Sequence, residues 1–126
     1  MNVVDSSGWL EYFADGPNAD KFASAIQNTR ELIVPTLSLY EVFKRVSQQR
    51  SRSAALRAIA MMQQGRAVDL NVTIALSAAR LSVELKLPMA DSVMLATARE
   101  FRATLWTQDA DFKDMEGVKY FVKRTV

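Results

Sequence analysis

The chain contains no cysteine and no histidine. Without cysteine it can form no disulfide, no thiolate metal site and no thiol nucleophile. Without histidine it lacks the side chain that titrates near neutral pH and the imidazole that ligates zinc. Serine–histidine hydrolysis, histidine general-base chemistry and histidine-held metals are therefore excluded within this chain. Glycine and proline are scarce, at four and three of 126 residues, which points to a globular rather than a disordered chain. No apolar run approaches a membrane span, and Asp5 and Glu11 interrupt the only stretch near the N-terminus that a signal peptide would need. A cytoplasmic protein without a membrane segment is expected.

Hydrophobic residues make up 49% of the sequence, enough for residues 1–126 to form one domain with its own core and no cross-links. The groups left for chemistry are carboxylates, hydroxyls, lysine, arginine and tyrosine. Carboxylates that converge without imidazole or thiolate suit a hard, oxygen-seeking cation, Mg2+ or Mn2+. The net charge is only +2, but Lys44, Arg45, Arg50, Arg52, Arg57 and Arg66 fall close together. Such a run reads either as a solvated helical surface or as a phosphate-facing rim.

Short apolar runs alternate with helical periods along the chain. Met1 to Val4 reads as a buried strand running into a turn at Asp5-Ser6-Ser7-Gly8, and Leu32 to Pro35 as a second strand. Pro17 is placed at a first helical position, followed by the stripe Phe22, Ala25 and Ile26. From Thr36 the period is helical, with Leu39, Val42, Phe43 and Val46 on one face. A helix from about Ser51 carries Ala55, Leu56, Ile59, Ala60 and Met62, with Gly65 as its C-terminal cap. Ala67 to Leu70 is a brief strand. Asn71 or Thr73 then caps a helix bearing Ile74, Leu76, Ala78, Leu81 and Leu85, which Pro88 ends. A helix over about 90–103, a strand at Thr104–Thr107 and a strand at Val118–Val122 complete the order. The pattern predicts an α/β domain with a mostly parallel sheet of about four to five short strands and helices on both faces.

Four acids occupy informative places in this order. Asp5 directly follows the first strand and Asp109 follows the strand ending at Thr107. The crevice beyond the C-terminal ends of parallel strands is the usual ligand site, and two such acids meet if their strands are neighbours. Either one alone reads first as a helix cap. Asp91 opens a helix whose same-face residues Met94, Leu95 and Ala98 are apolar, so its carboxylate is either a first-turn residue favoured by the helix dipole or a metal-bound group near buried surface. Glu41 precedes Lys44 and Arg45 at helical spacing, so an ordinary surface ion pair also accounts for it.

The local wording ties these acids together. Leu87-Pro88-Met89-Ala90-Asp91-Ser92 leading into an Ala-rich helix, then Leu105-Trp106-Thr107-Gln108-Asp109-Ala110-Asp111-Phe112, resembles the C-terminal half of PIN-domain proteins. Val3-Val4-Asp5-Ser6-Ser7 is similar to that family's opening strand and acid, and Ser38-Leu39-Tyr40-Glu41-Val42 to its helix-borne Glu. The resemblance runs in order over essentially the whole chain, and within the family it is strongest to the VapC group of toxin–antitoxin endoribonucleases. Arg102-Ala103 stands where many relatives carry a Gly, and Trp106 is bulkier than usual.

The resemblance implies a PIN-like nuclease domain that hydrolyses RNA to 5′-phosphate and 3′-hydroxyl ends with Mg2+ or Mn2+. Asp5, Glu41, Asp91 and Asp109 would then be both catalytic residues and metal ligands, direct or through water. Ser6, Thr107 and Asp111 are supporting candidates, and Lys44 and Arg45 are candidates for the RNA backbone. A cognate antitoxin that covers the site and a homodimer are further implications. Other classes fit less well. A phosphatase with an Asp-x-Asp nucleophile would need an acid where Ser7 stands, and a receiver-like phosphoacceptor would need a lysine where Asp109 stands. A PIN-like module that binds RNA or protein without cutting is the remaining alternative.

Overall fold

A computed structural model describes residues 1–125. Five strands, β1 (Asn2–Val4), β2 (Leu32–Pro35), β3 (Arg66–Val68), β4 (Thr104–Thr107) and β5 (Val118–Tyr120), form one sheet in the order β3-β2-β1-β4-β5. Every pairing is parallel. Among the described residues six α-helices accompany it: α1 (Ser6–Phe13), α2 (Ala19–Gln27), α3 (Thr36–Gln49), α4 (Arg52–Met62), α5 (Val72–Leu85) and α6 (Met89–Glu100). The predicted α/β class with helices on both faces is the observed one.

Period-two alternation divides the core into two layers. Val3 and Ile33 face α5 and α6, where Ile74, Leu81, Met94, Leu95 and Leu105 close the packing. Val4, Leu32 and Val34 face the opposite way, against Trp9, Phe22, Val42, Val46 and Met62 of α1 to α4. Strands buried on both faces read as unbroken apolar runs, which is how β1 and β2 appear in the sequence. Seven consecutive residues of α6, Ser92 to Ala98, are buried. Its small side chains let a helix sit this deep between α5 and the sheet.

Chain order places the site. After β1 the chain builds outward through β2 and β3, then returns to the other side of β1 for β4 and β5. The direction reverses between β1 and β4, which pair along Asn2–Thr104, Val3–Leu105 and Val4–Trp106. Asp5 and Asp109 thus leave neighbouring strand ends at the switch point, where open α/β sheets form their ligand crevice.

Several local expectations change. α2 begins at Ala19, so Pro17 lies in the preceding turn, and Asn18 makes no cap bond because its side chain is engaged elsewhere. α4 ends at Met62 with Gln63 as its cap, so Gly65 is not the cap. A Cβ on Gly65 would lie 3.0 Å from both Leu32 Cγ and the Leu32 carbonyl, so glycine eases the close entry of β3 against β2. Of the two possible caps for α5, Asn71 accepts from Ile74 N at 2.9 Å. The expected α5 stripe splits, with Ile74, Ala78 and Leu81 buried but Leu76 on the solvent side. On α4, Leu56 is likewise exposed. Finally, α6 stops at Glu100, and Arg102 takes a left-handed conformation with φ 51° where a glycine would be unstrained. Trp106 is held on β4 by its neighbours: its Nε1 donates to Asn2 Oδ1 at 2.8 Å, and Lys119 Nζ lies 4.2 Å from the centre of its ring.

Candidate active site

Asp5 is buried at the N-cap of α1. Its Oδ1 accepts from Gly8 N at 3.1 Å and from Ser7 Oγ at 2.6 Å, and its Oδ2 accepts from Thr107 Oγ1 at 2.7 Å. The cap reading of Asp5 therefore holds, and it leaves the carboxylate fixed at the crevice. Thr107 Oγ1 also accepts from Asp109 N at 2.9 Å, so one hydroxyl sets the spacing of the acids after β1 and β4. Gly8 makes this possible: a Cβ there would sit 2.7 Å from Val4 Cγ1 and 2.8 Å from Phe22. Its absence lets α1 start directly against β1.

Asp109 caps the short turn Ala110–Phe112, its Oδ1 accepting from Asp111 N at 2.9 Å. Asp91 stands in the first turn of α6. One carboxylate oxygen from each of Asp91, Asp109 and Asp111 lies within 4.8 Å of the other two. Burial pushes the Asp91 carboxyl up to about 7, helped by the charges of Asp109, Asp5 and Asp111. Asp5 is pushed up to about 6, chiefly by burial, against the lowering effect of its three hydrogen bonds and with a further push from Asp109. Four aspartates thus repel one another across a small space, which is the electrostatic condition for holding a divalent cation.

The structure places Glu41 apart from this group. Its Oε1 accepts from Ser6 Oγ at 2.6 Å, across the gap between α3 and α1. It makes no ion pair with Lys44 or Arg45, which are exposed and join no salt bridge among the described residues. The basic run does not form a single rim either, since Arg66 lies over the Phe101 ring at 5.2 Å. Asp111, a secondary candidate in the sequence, stands in the closest acid trio. The donor set is all carboxylate oxygen with no nitrogen or sulfur, which fits Mg2+ or Mn2+.

Sequence reasoning passed over two features. Ser7 ties Asp5 to the backbone N of Gln108 (3.3 Å from Ser7 Oγ), and only its position two residues after a capping Asp could have suggested this. Behind it lies a buried amide pair, with Asn18 Nδ2 donating to Gln108 Oε1 at 3.0 Å and to the Val122 carbonyl at 2.9 Å. Glu11 accepts from Asn18 N and from Gln108 Nε2. Ninety residues separate the two amides, and no local pattern links them.

Comparison with known proteins agrees with this fold. A sequence model of the PIN domain matches residues 3–118. No curated protein matches the chain by sequence. Among solved structures, a chain of a toxin–antitoxin complex from Klebsiella pneumoniae superposes with a TM-score of 0.81 at 21% identity, covering 94% of this chain and 96% of that one. VapC20 of Mycobacterium tuberculosis, described as a sarcin–ricin loop cleaving toxin, gives 0.76 at 16% identity over 92% and 95%. FitAcB from Neisseria gonorrhoeae gives 0.73 at 16% identity over 96% of both chains. With the sequence match spanning nearly all of a five-stranded parallel sheet that carries its acids at the switch point, the chain belongs to the PIN-domain family.

Proposed function

We propose that this protein is a metal-dependent endoribonuclease that cuts RNA phosphodiester bonds, acting as the toxin of a toxin–antitoxin pair in the cytoplasm. The observation that carries the reading is the convergence of Asp91, Asp109 and Asp111 within 4.8 Å, with Asp5 close enough to raise Asp91 further. Asp5, Asp91 and Asp109, with Asp111 beside them, would hold Mg2+ or Mn2+, and Glu41 would complete the set through water. When bound, the cation would neutralise the acids, polarise a phosphoryl oxygen and lower the pKa of a bound water.

The chain's own residues have separate tasks. Thr107 and Ser7 hold Asp5 with both oxygens fixed, and Thr107 also holds the Asp109 backbone. Ser6 fixes Glu41 where it can orient a water for attack. Lys44 and Arg45, exposed and without carboxylate partners among the described residues, would meet the RNA backbone. The same concentration of negative charge favours an antitoxin that inserts a basic side chain. Support for a homodimer comes from α5, where Val72, Leu76 and Val83 form an exposed apolar stripe opposite the buried one. Arg80 and Glu84 pair at 3.9 Å on the same helix, so the stripe is a narrow apolar patch of the kind that marks a contact surface. Residues 1–126 would make up the nuclease domain.

A cleavage assay on defined RNAs with the purified protein tests the proposal. Cutting is expected with Mg2+ or Mn2+, none with a chelator, and none from Asp91→Asn, whereas Asp114→Asn on the exposed surface retains activity. If the antitoxin-free protein cuts no RNA with either metal, the enzyme reading fails and a non-cleaving binding module takes its place.

A further inference from the structure

A cavity of about 370 Å3 opens between α1 and α3, lined by Ser6, Leu10, Tyr40, Glu41, Lys44 and Arg45. Its half-buried end is the Ser6–Glu41 pair, and its exposed end is Tyr40 with the two cations. Tyr40, Glu41, Lys44 and Arg45 share one helical face through their spacing on α3. Tyr40 is 60% exposed, while every other aromatic residue of the chain is buried or half-buried. Lys44 Nζ lies 5.8 Å from the centre of its ring.

We infer that this cavity is a nucleotide subsite that takes one unpaired base of a single-stranded RNA, stacked on Tyr40, with the adjoining phosphates against Lys44 and Arg45. The inference rests on the ribonuclease reading and names the form of its substrate. An exposed aromatic ring next to cations is the combination by which proteins hold single strands, because every base offers a face for stacking. A paired base inside a duplex has no free face. The volume falls in the range of small-molecule sites and suits one nucleotide rather than a helix. Charge selects the occupant further. Glu41 at the inner end favours a neutral group with amino donors, which adenine, cytosine and guanine present and uracil lacks, while the outer cations favour phosphate.

Fluorescence anisotropy in a chelating buffer, where no cutting occurs, tests this with three labelled oligomers of equal length: oligoadenylate, oligouridylate and an abasic strand. Oligoadenylate is expected to bind most tightly. Tyr40→Ala should weaken it roughly 5- to 100-fold and leave the abasic strand unchanged, and Tyr40→Phe should retain wild-type binding. Lys44→Ala with Arg45→Ala should weaken all three strands and flatten their salt dependence, the slope falling by about 0.7 for each phosphate that is no longer neutralised. Wild-type affinity of Tyr40→Ala for oligoadenylate overturns the subsite. Equal weakening of the abasic strand overturns it too, since the ring would then act on the backbone or the fold. In either case, cleavage by the wild type leaves the nuclease reading standing. If the wild type binds none of these strands the subsite falls, while the nuclease reading falls only if no RNA is cut with either metal; protection of Tyr40 by a protein partner alone would assign the cavity to that partner.

Discussion

Asp91 sits in the first turn of α6 with its carboxyl held at about 7 by burial and by three neighbouring aspartates, and this has a consequence for the metal-free protein. The ordinary value is 3.8. Because the folded-state pKa lies above the unfolded one, the fold keeps a proton that the unfolded chain releases between about pH 4 and 7. Stability therefore falls as pH rises through that window, and the loss is complete above about pH 7. A shift of this size on a fully buried group would correspond to about 4 kcal/mol. Asp91 is partly exposed, and solvent screening brings the expected figure to about 2 kcal/mol. Asp91→Asn removes the charge and keeps the shape. In a chelating buffer near pH 8 the variant should be about 2 kcal/mol more stable than the wild type, a shift of about 1 M in the urea midpoint. Near pH 4 the difference should vanish. Mg2+ or Mn2+ should stabilise the wild type by mass action and the variant far less, narrowing or reversing the order. A variant less stable near pH 8, or a difference unchanged between the two pH values, would refute the reasoning that the acids strain the empty site.

Three further outcomes follow from the same geometry. Thr107→Val leaves a buried Asp5 oxygen and the Asp109 N–H without their partner, so urea denaturation should show a loss of about 1–3 kcal/mol, and RNA cleavage should fall with it. Gly8→Ala drives a methyl into Val4 and Phe22, so thermal melting should show a loss of about 1–3 kcal/mol; an unchanged melting temperature would mean α1 can move off β1 freely. Arg102→Gly relieves a left-handed residue after α6 and should raise stability by about 0.5–1 kcal/mol without changing cleavage, measured by denaturation and by the nuclease assay in parallel.

The elements that were legible in the sequence are those whose burial is one-sided or complete along a short stretch. β1 and β2 appeared as short apolar runs and β4 as the strand Thr104–Thr107 ahead of Asp109, and the helical periods of α3, α5 and α6 could be read directly. Errors gathered where local signals compete. Gly65 resembled a cap because glycines commonly end helices, yet its place is a close approach to Leu32. Leu76 resembled core because composition cannot tell which of two apolar faces meets the sheet.

The sequence by itself determined the chemistry available and the order of the parts. With no histidine or cysteine, only oxygen ligands remain, and the positions of Asp5, Asp91 and Asp109 follow from strand ends and a helix start. Which acids meet was decided only in three dimensions. The pairing of β1 with β4 sets Asp5 beside Asp109, the depth of α6 carries Asp91 to them, and the turn after β4 swings Asp111 into the trio while Ser6 holds Glu41 to one side. Contacts between residues about a hundred positions apart depend on strand order and helix packing, and neither leaves a local trace in the chain.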